Sequence, residues 1–402
     1  MGIPAARRVP QKILKDKGDF MAKIKVLIVD DSALVRQIFS VGLSKDPYIE
    51  VVGTANDPFA ARDKILSLHP DVVTLDVNMP QMNGVEFLKR LMPHYPLPVI
   101  MVSALTQRDS QTTLDALMAG AVDFVAKPAG QSPSELGTML SELAMKIKAA
   151  SKANLDKWKR RAAAVHSGAA SLSQTQTPGS SQSLPSVQVA DAHKLRPLAT
   201  LASRGPMPKN PAARRICAIG ASTGGTEALR EVFTRLPAEF TGTVVVQHMP
   251  PKFTAMFAAR MDAECQIRVK EAEDGELVRN GIVYIAPGGE RQMTLRNSPE
   301  GWLICLREGP KVQGHCPSVT ALFESVANLC GPKAAGAILT GMGGDGSDGL
   351  LKMRQAGAHT LGQCEASCVV YGMPKVAMQL GAVERELPVE DIGPALVNLF
   401  RS

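Results

Sequence analysis

The stretch Ile216-Cys-Ala-Ile-Gly-Ala-Ser-Thr-Gly-Gly-Thr226 decides how the second half of this chain folds. Its first residues are apolar without polar alternation, the pattern of a strand buried on both faces. Ser222-Thr-Gly-Gly225 breaks that run. Beyond it Leu229, Val232, Phe233 and Leu236 recur at helical spacing. Strand, tight turn and amphipathic helix together form the unit of a parallel sheet covered by helices. Such a turn has two chemical uses. Gly220-x-Ser222-x-Gly224 is how many hydrolases display a nucleophilic serine, and a glycine-rich turn in the same place is how many α/β proteins cradle a phosphate.

Working outward, strand–helix alternation continues from about residue 213 to 402 and also fills residues 23–145. In the first block "KVLIV" (25–29), "VVTL" (72–75), "PVIMV" (98–102) and "DFVA" (123–126) read as strands, and Leu34, Ile38 and Val41 mark one face of a helix after the first strand. Residues 132–165 read as helical. Between the blocks, "SGAASLSQTQTPGSSQSLPSVQ" (167–188) is rich in Ser, Gln and Pro and offers nothing to bury, so 146–212 is expected to be a helical start followed by a flexible linker. Residues 1–22 precede the first strand and are expected to be a disordered extension. The architecture is two α/β domains with parallel sheets; the resemblances given below imply a flavodoxin-like (βα)5 fold for the first and a doubly wound fold with a mostly parallel sheet for the second.

The net charge of +7 suggests nucleic acid until it is located. Residues 1–20 hold five Lys/Arg against two acids and residues 146–215 hold thirteen against two, so the folded remainder is acidic. The chain is not expected to bind nucleic acid. No apolar run approaches the roughly 18 residues of a membrane span, and the N-terminus lacks the apolar core of a secretory signal. Seven cysteines, an odd number with no Cys-x-x-Cys pair, fit reduced thiols in a cytoplasmic protein.

In the first domain, Asp30-Asp31, Asp76, Ser103 and Lys127-Pro128 all fall at the carboxyl ends of expected strands, the edge where doubly wound sheets bind ligands. Carboxylates converging there need a cation between them, and hard oxygen ligands suit Mg²⁺. The set "VDDS", "LDVNMPQMNG", "VSA" and "KP" closely resembles the receiver domain of two-component response regulators. The resemblance implies that Asp76 accepts a phosphoryl group and that Asp30, Asp31, Asp76 and the backbone carbonyl of Asn78 ligate Mg²⁺. It also implies that Ser103 and Phe124 form the switch pair, and that Lys127 senses the phosphate.

In the second domain a serine nucleophile needs a base and a group to orient it. His248 follows the strand "TVVVQ", while His315 and His359 lie in a polar turn and a connection. Asp345 and Asp348 follow another buried strand. Gly341-Met-Gly-Gly-Asp-Gly346 also matches the dinucleotide pattern, with Glu365 placed as its acid. On residues alone, hydrolase, nucleotide binder and interaction module all remain open. The order Ser222, His248, Asp345 differs from that of the α/β-hydrolases.

The segments "AIGASTGGTEAL", "VVVQHMPPKFT", "YIAPGG", "CPSVTALFESVA", "ILTGMGGDGSDGL" and "EASCVVYGMPKVA" closely resemble the catalytic domain of chemotaxis-specific protein-glutamate methylesterases. The resemblance implies a phosphorylation-activated serine-type hydrolase that demethylates chemoreceptor glutamate esters and deamidates receptor glutamines. Ser222, His248 and Asp345 would be catalytic, with Met342 and Thr223 as oxyanion donors. Mg²⁺ would serve receiver phosphorylation only, with no cofactor for the ester chemistry. The partners would be methyl-accepting receptors and a histidine kinase. The rival expectation is a nucleotide held at the glycine-rich loops.

Overall fold

A computed structural model describes residues 22–104, 106–128, 132–156, 158–159 and 204–401. The extension expected at 1–22 and the body of the linker lie almost wholly outside them.

The first domain alternates β1 (Ile24–Val29), α1 (Ala33–Leu43), β2 (Ile49–Ala55), α2 (Pro58–Leu68), β3 (Val72–Asp76), α3 (Gly84–Leu91), β4 (Val99–Ala104), α4 (Gln107–Met118), β5 (Asp123–Lys127) and α5 (Pro133–Ala150). The five strands run parallel in the order β2-β1-β3-β4-β5, the flavodoxin-like arrangement. Val26, Leu27, Val72, Val73, Val99 and Ile100 are fully buried, as strands covered on both faces require. On α1 the core is met by Phe39 and Leu43, with Val35 and Ile38 packed beside them, whereas Leu34 is 64% and Val41 52% exposed. The expected face was rotated: the larger Phe39 and Leu43 set which side of the helix turns inward.

The helical stretch expected over 132–165 is broken: α5 ends at Ala150, residues 156 and 158–159 are helical again, and 160–165 lie outside the described residues. Ser151 closes α5, its N–H bonding the Ile147 carbonyl at 2.9 Å, and the chain then crosses to the second domain. There Asn154 donates from its backbone to Val369 O (2.9 Å) and from Nδ2 to Ala366 O (3.0 Å). The chain returns at Arg204, whose guanidinium bonds the carbonyls of Asp262, Cys265 and Gln266 at 2.7–3.0 Å. A cation on the last carbonyls of a helix is favourable both as a cap and against the helix dipole. Residues 204–212 therefore rest on the second domain, and α5 runs past the boundary expected at 145.

The second domain contains β6 (Ile216–Ala221), α6 (Gly225–Phe233), β7 (Gly242–Gln247), α7 (Phe253–Glu264), β8 (Arg268–Glu271), β9 (Ile282–Ile285), β10 (Arg291–Ser298) and β11 (Gly301–Glu308). These are followed by α8 (Val319–Cys330), β12 (Ala334–Ile338), α9 (Ser347–Gln355), β13 (His359–Gln363), α10 (Met373–Gln379), β14 (Arg385–Leu387) and α11 (Val389–Arg401). Seven strands form one parallel sheet in the order β14-β13-β12-β6-β7-β9-β8, and β10–β11 is a separate antiparallel hairpin. Leu229, Val232, Phe233 and Leu236 are at most 1% exposed, as the helical spacing predicts. The first strand of this domain, β6, lies between β7 and β12. That is the topological switch point, where a crevice opens at the carboxyl edge.

Among the described residues no helix is long and apolar enough to cross a membrane, and the described cysteines are all free.

Candidate active site and phosphorylation pocket

The crevice collects one functional side chain from each of three adjacent strands. β6 ends at Ala221, in register with Gln247 at the end of β7, so Ser222 and His248 are the next residues on neighbouring strands. His248 N–H bonds Ala221 O (3.2 Å), and Gln247 Nε2 donates to the carbonyls of Ser222 (2.9 Å) and His248 (3.3 Å). One buried amide thus ties the two loops together. Asp345 lies on the loop between β12 and α9, with its Oδ2 2.9 Å from His248 Nε2.

Asp345 is 1% exposed and faces the N-terminus of α8. It accepts from Ser318 Oγ (2.7 Å), Val319 N (2.8 Å) and Thr320 N (3.0 Å). Burial works to raise its pKa, but His248, the Ser318 hydroxyl and the Thr320 amide outweigh burial and hold it far below the ordinary carboxylate range. An ionised carboxylate only accepts hydrogen bonds, so His248 Nε2 carries the proton of the bond to Asp345. Nδ1 is buried without a partner, so the Ser222 hydroxyl does not close onto it in this conformation. His315 stacks on His248 with ring centroids 3.8 Å apart and planes 6° from parallel. Burial first, then the neighbouring His248, pushes the His315 pKa down to about 4, leaving a neutral ring on the imidazole near pH 7.

The other sequence candidates are placed as follows. Asp348 is exposed and accepts from Gln313 Nε2 (2.7 Å), away from His248. Thr223 is buried directly after the serine, and Met342 follows Gly341, whose backbone lies against Ser222. A Cβ on Gly341 would come within 2.8 Å of Ser222 Cβ, and one on Gly346 (φ 93°) within 2.5 Å of Val319 Cγ1. Two of the three glycines in the dinucleotide-like pattern therefore serve close packing against the Ser222 loop and helix α8. Sequence reasoning did not single out Ser318 and Gln247 and gave His315 no role. The Ser-x-x capping position before "VTALF" was the available signal for Ser318.

In the first domain Lys127 Nζ bridges Asp30 Oδ2 (2.8 Å) and Asp76 Oδ1 (2.9 Å). Carboxylate oxygens of Asp30, Asp31 and Asp76 all lie within 4.8 Å of one another. Burial raises the Asp76 pKa to about 6, with Lys127 opposing and Asp30 and Asp31 adding repulsion. A second cation would relieve that surplus of negative charge, so the donor set fits a hard divalent ion such as Mg²⁺. A Cβ on Gly84 would meet the Asp76 carbonyl oxygen at 2.2 Å, so this glycine lets α3 approach the pocket. Asn78 lies exposed on the loop two residues past β3, and Ser103 is buried at the end of β4, its Oγ bonding Ala104 O at 3.2 Å.

Phe124 points into the second domain and stacks on Phe253 of α7, centroids 4.5 Å apart. Its strand neighbour Asp123 accepts from Thr223 Oγ1, beside Ser222. Lys146 of α5 holds Asp123 at 3.1 Å and Phe124 O at 2.6 Å. Asp115 of α4 pairs with Arg260 of α7. The first domain thus lies over the crevice.

Fold and site together define a response regulator whose output domain carries a hydrolytic crevice. Residues 26–141 match the response regulator receiver domain model, and residues 217–396 match the CheB methylesterase model. The protein-glutamate methylesterase/protein-glutamine glutaminase of Syntrophotalea carbinolica is 48% identical over 378 residues, covering 94% of this chain and 98% of the relative. That of Caulobacter vibrioides is 46% identical over 379 residues, covering 94% and 98%. The crystal structure of the Thermotoga maritima CheB methylesterase catalytic domain is 38% identical, with TM-score 0.45, over 46% of this chain and 98% of that one. This chain belongs to the protein-glutamate methylesterase/protein-glutamine glutaminase family, as a hydrolase of chemotactic adaptation.

Proposed function

We propose that the hydrolysis is serine-type and that Ser222 attacks the side-chain carbonyl of a glutamyl methyl ester on a chemoreceptor. The carrying observation is that His248 Nδ1, at the end of the strand beside Ser222, is buried and has no hydrogen-bond partner, with Nε2 bonded to Asp345. Nδ1 accepts the serine proton and returns it to departing methanol. Asp345 fixes the tautomer and stabilises the imidazolium that forms. Backbone N–H groups at Thr223 and Met342 are the candidates for holding the developing oxyanion. Water attacks the acyl-enzyme with His248 again as base. A glutamine side chain presents the same carbonyl with ammonia leaving, which accounts for the second activity in the relatives' names.

Asp76 is the proposed phosphoryl acceptor, with a chemotaxis histidine kinase as donor. Mg²⁺, held by Asp30, Asp31, Asp76 and the Asn78 carbonyl, would neutralise phosphoryl oxygens during transfer. Lys127, freed from Asp76 Oδ1, would pair with the new phosphate, and Ser103 would hydrogen-bond it. The test is methanol release from methylated receptor membranes, with and without acetyl phosphate. Release that acetyl phosphate stimulates supports the reading, and no release under either condition refutes it.

A further inference from the structure

Arg260 is the largest fully buried side chain among the described residues, yet only part of its guanidinium is used. Nε donates inward to Glu264 Oε1 (3.0 Å), whose other oxygen already receives Arg230 Nε (2.7 Å). Nη1 reaches across to Asp115 of the first domain, and Nη2 is buried with no partner. A buried cation must be matched by hydrogen-bonded charge, and an arginine fork is best filled by a carboxylate that takes two parallel N–H bonds. Asp115 fills half of it. The same face of the first domain sets Phe124 on Phe253 and Asp123 on Thr223, the residue beside the serine. The first domain therefore presents two carboxylates flanking an aromatic ring to the surface around the crevice.

We infer that Arg260 is a docking cation for the substrate, and that Asp115 holds its place until the receiver moves away. This rests on the function proposed above. Both family reactions leave a glutamate side chain as product, so a receptor segment with more than one processed position offers a free carboxylate near the remaining ester. Glutamate reaches one methylene further than Asp115 and can take both Nη1 and Nη2. The occupant is thus an acidic receptor segment, with Phe253 supplying apolar contact and Arg260 the charge match. Arg260 positions substrate and takes no part in bond making.

The test uses the full-length chain and methylated receptor membranes, with and without acetyl phosphate and Mg²⁺. Asp115→Ala removes the covering carboxylate alone. It should raise unphosphorylated methanol release several-fold and leave kcat and KM of the phosphorylated chain at wild-type values. Arg260→Gln should also raise the unphosphorylated rate, but in the phosphorylated chain KM for receptor should rise about tenfold with kcat within twofold. A phosphorylated Arg260→Gln with the KM of Asp115→Ala would overturn docking and leave Arg260 a latch only. Should Arg260→Gln lose kcat through misfolding, Arg260→Lys decides, since it keeps the charge but not the fork: a raised KM supports the assignment and a wild-type KM overturns it. A wild-type chain that releases no methanol refutes the underlying function, an outcome distinct from these.

Discussion

Asp345→Asn puts the proposed chemistry under the most direct strain. The carboxylate faces four donors: His248 Nε2–H, Ser318 Oγ–H and the Val319 and Thr320 amides. An asparagine in the same place has one acceptor oxygen and an NH₂ that only donates. If the oxygen stays in the Oδ1 place on Ser318 Oγ and the Thr320 amide, the NH₂ confronts His248 and the Val319 amide, and the imidazole must move its proton from Nε2 to Nδ1 to accept. Nδ1 is the nitrogen that must take the serine proton, so the base is lost while the side-chain shape is kept. A wrong tautomer of this kind costs ~10⁴ in kcat, about 5.5 kcal/mol of transition-state stabilisation. The one or two donors left unmet should each cost about 1–3 kcal/mol of stability, visible as a lowered Tm. The assay is methanol release by the acetyl-phosphate-treated chain, with Tm measured alongside. Retention of a tenth of the activity would refute the tautomer argument. So would Asp348→Asn proving as damaging, because Asp348 bonds only Gln313 among these groups.

Three further outcomes are expected. Ser222→Ala should lower methanol release at least ~10³-fold while labelling of Asp76 continues, since the two sites lie on separate sheets; near-normal release would remove Ser222 as nucleophile. Asp76→Asn should take no label from a phosphorylated histidine kinase and lose the Mg²⁺-dependent response to acetyl phosphate, and label appearing on that variant would refute the acceptor assignment. His315 has a folded pKa of about 4, below the unfolded value near 6.5, so between those values the unfolded chain binds the extra proton. Its contribution is therefore present above about pH 6.5 and is lost as pH falls towards 4. Tm of the wild type minus that of His315→Gln should shrink over that window, and a constant difference would show that the stacked ring does not titrate as stated. The titratable groups acting on the ring are His248, Asp345, Lys311 and Lys146.

What the sequence made legible was whatever sits at the end of a strand. Asp30, Asp76, Ser222 and His248 each follow an apolar run that announces its own strand, and each domain's parallel sheet brings its own strand ends to one edge. Asp345 was legible for the same reason, although nothing in the spacing distinguished it from Asp348; the choice is made by α8, whose first amides point at one carboxylate only. The groups that were missed act through partners far along the chain. Ser318 meets Asp345 across 27 residues, and Arg260 meets Asp115 across 145. The face of α1 was misread because Leu34, Ile38 and Val41 satisfy a helical period as well as Val35, Phe39 and Leu43 do, and only the volume available against α5 and the sheet chooses between them. The hairpin β10–β11 was not anticipated because its two strands interrupt a strand–helix alternation that otherwise runs through most of the domain.

Strand β5 is only five residues long, and both ends are occupied. Lys127 closes one end on Asp30 and Asp76; Asp123 closes the other on Thr223, with Phe124 turned to Phe253. Side chains alternate along a strand, so one inserted or deleted residue would exchange the faces of everything beyond it. The length of this strand is therefore a specification in its own right. A receiver domain grafted from another regulator could accept phosphate perfectly well and still be deaf to this output domain, unless it counted the same five residues and ended them in the same acid and ring. Interchangeability stops at β5, however freely the linker is cut and joined.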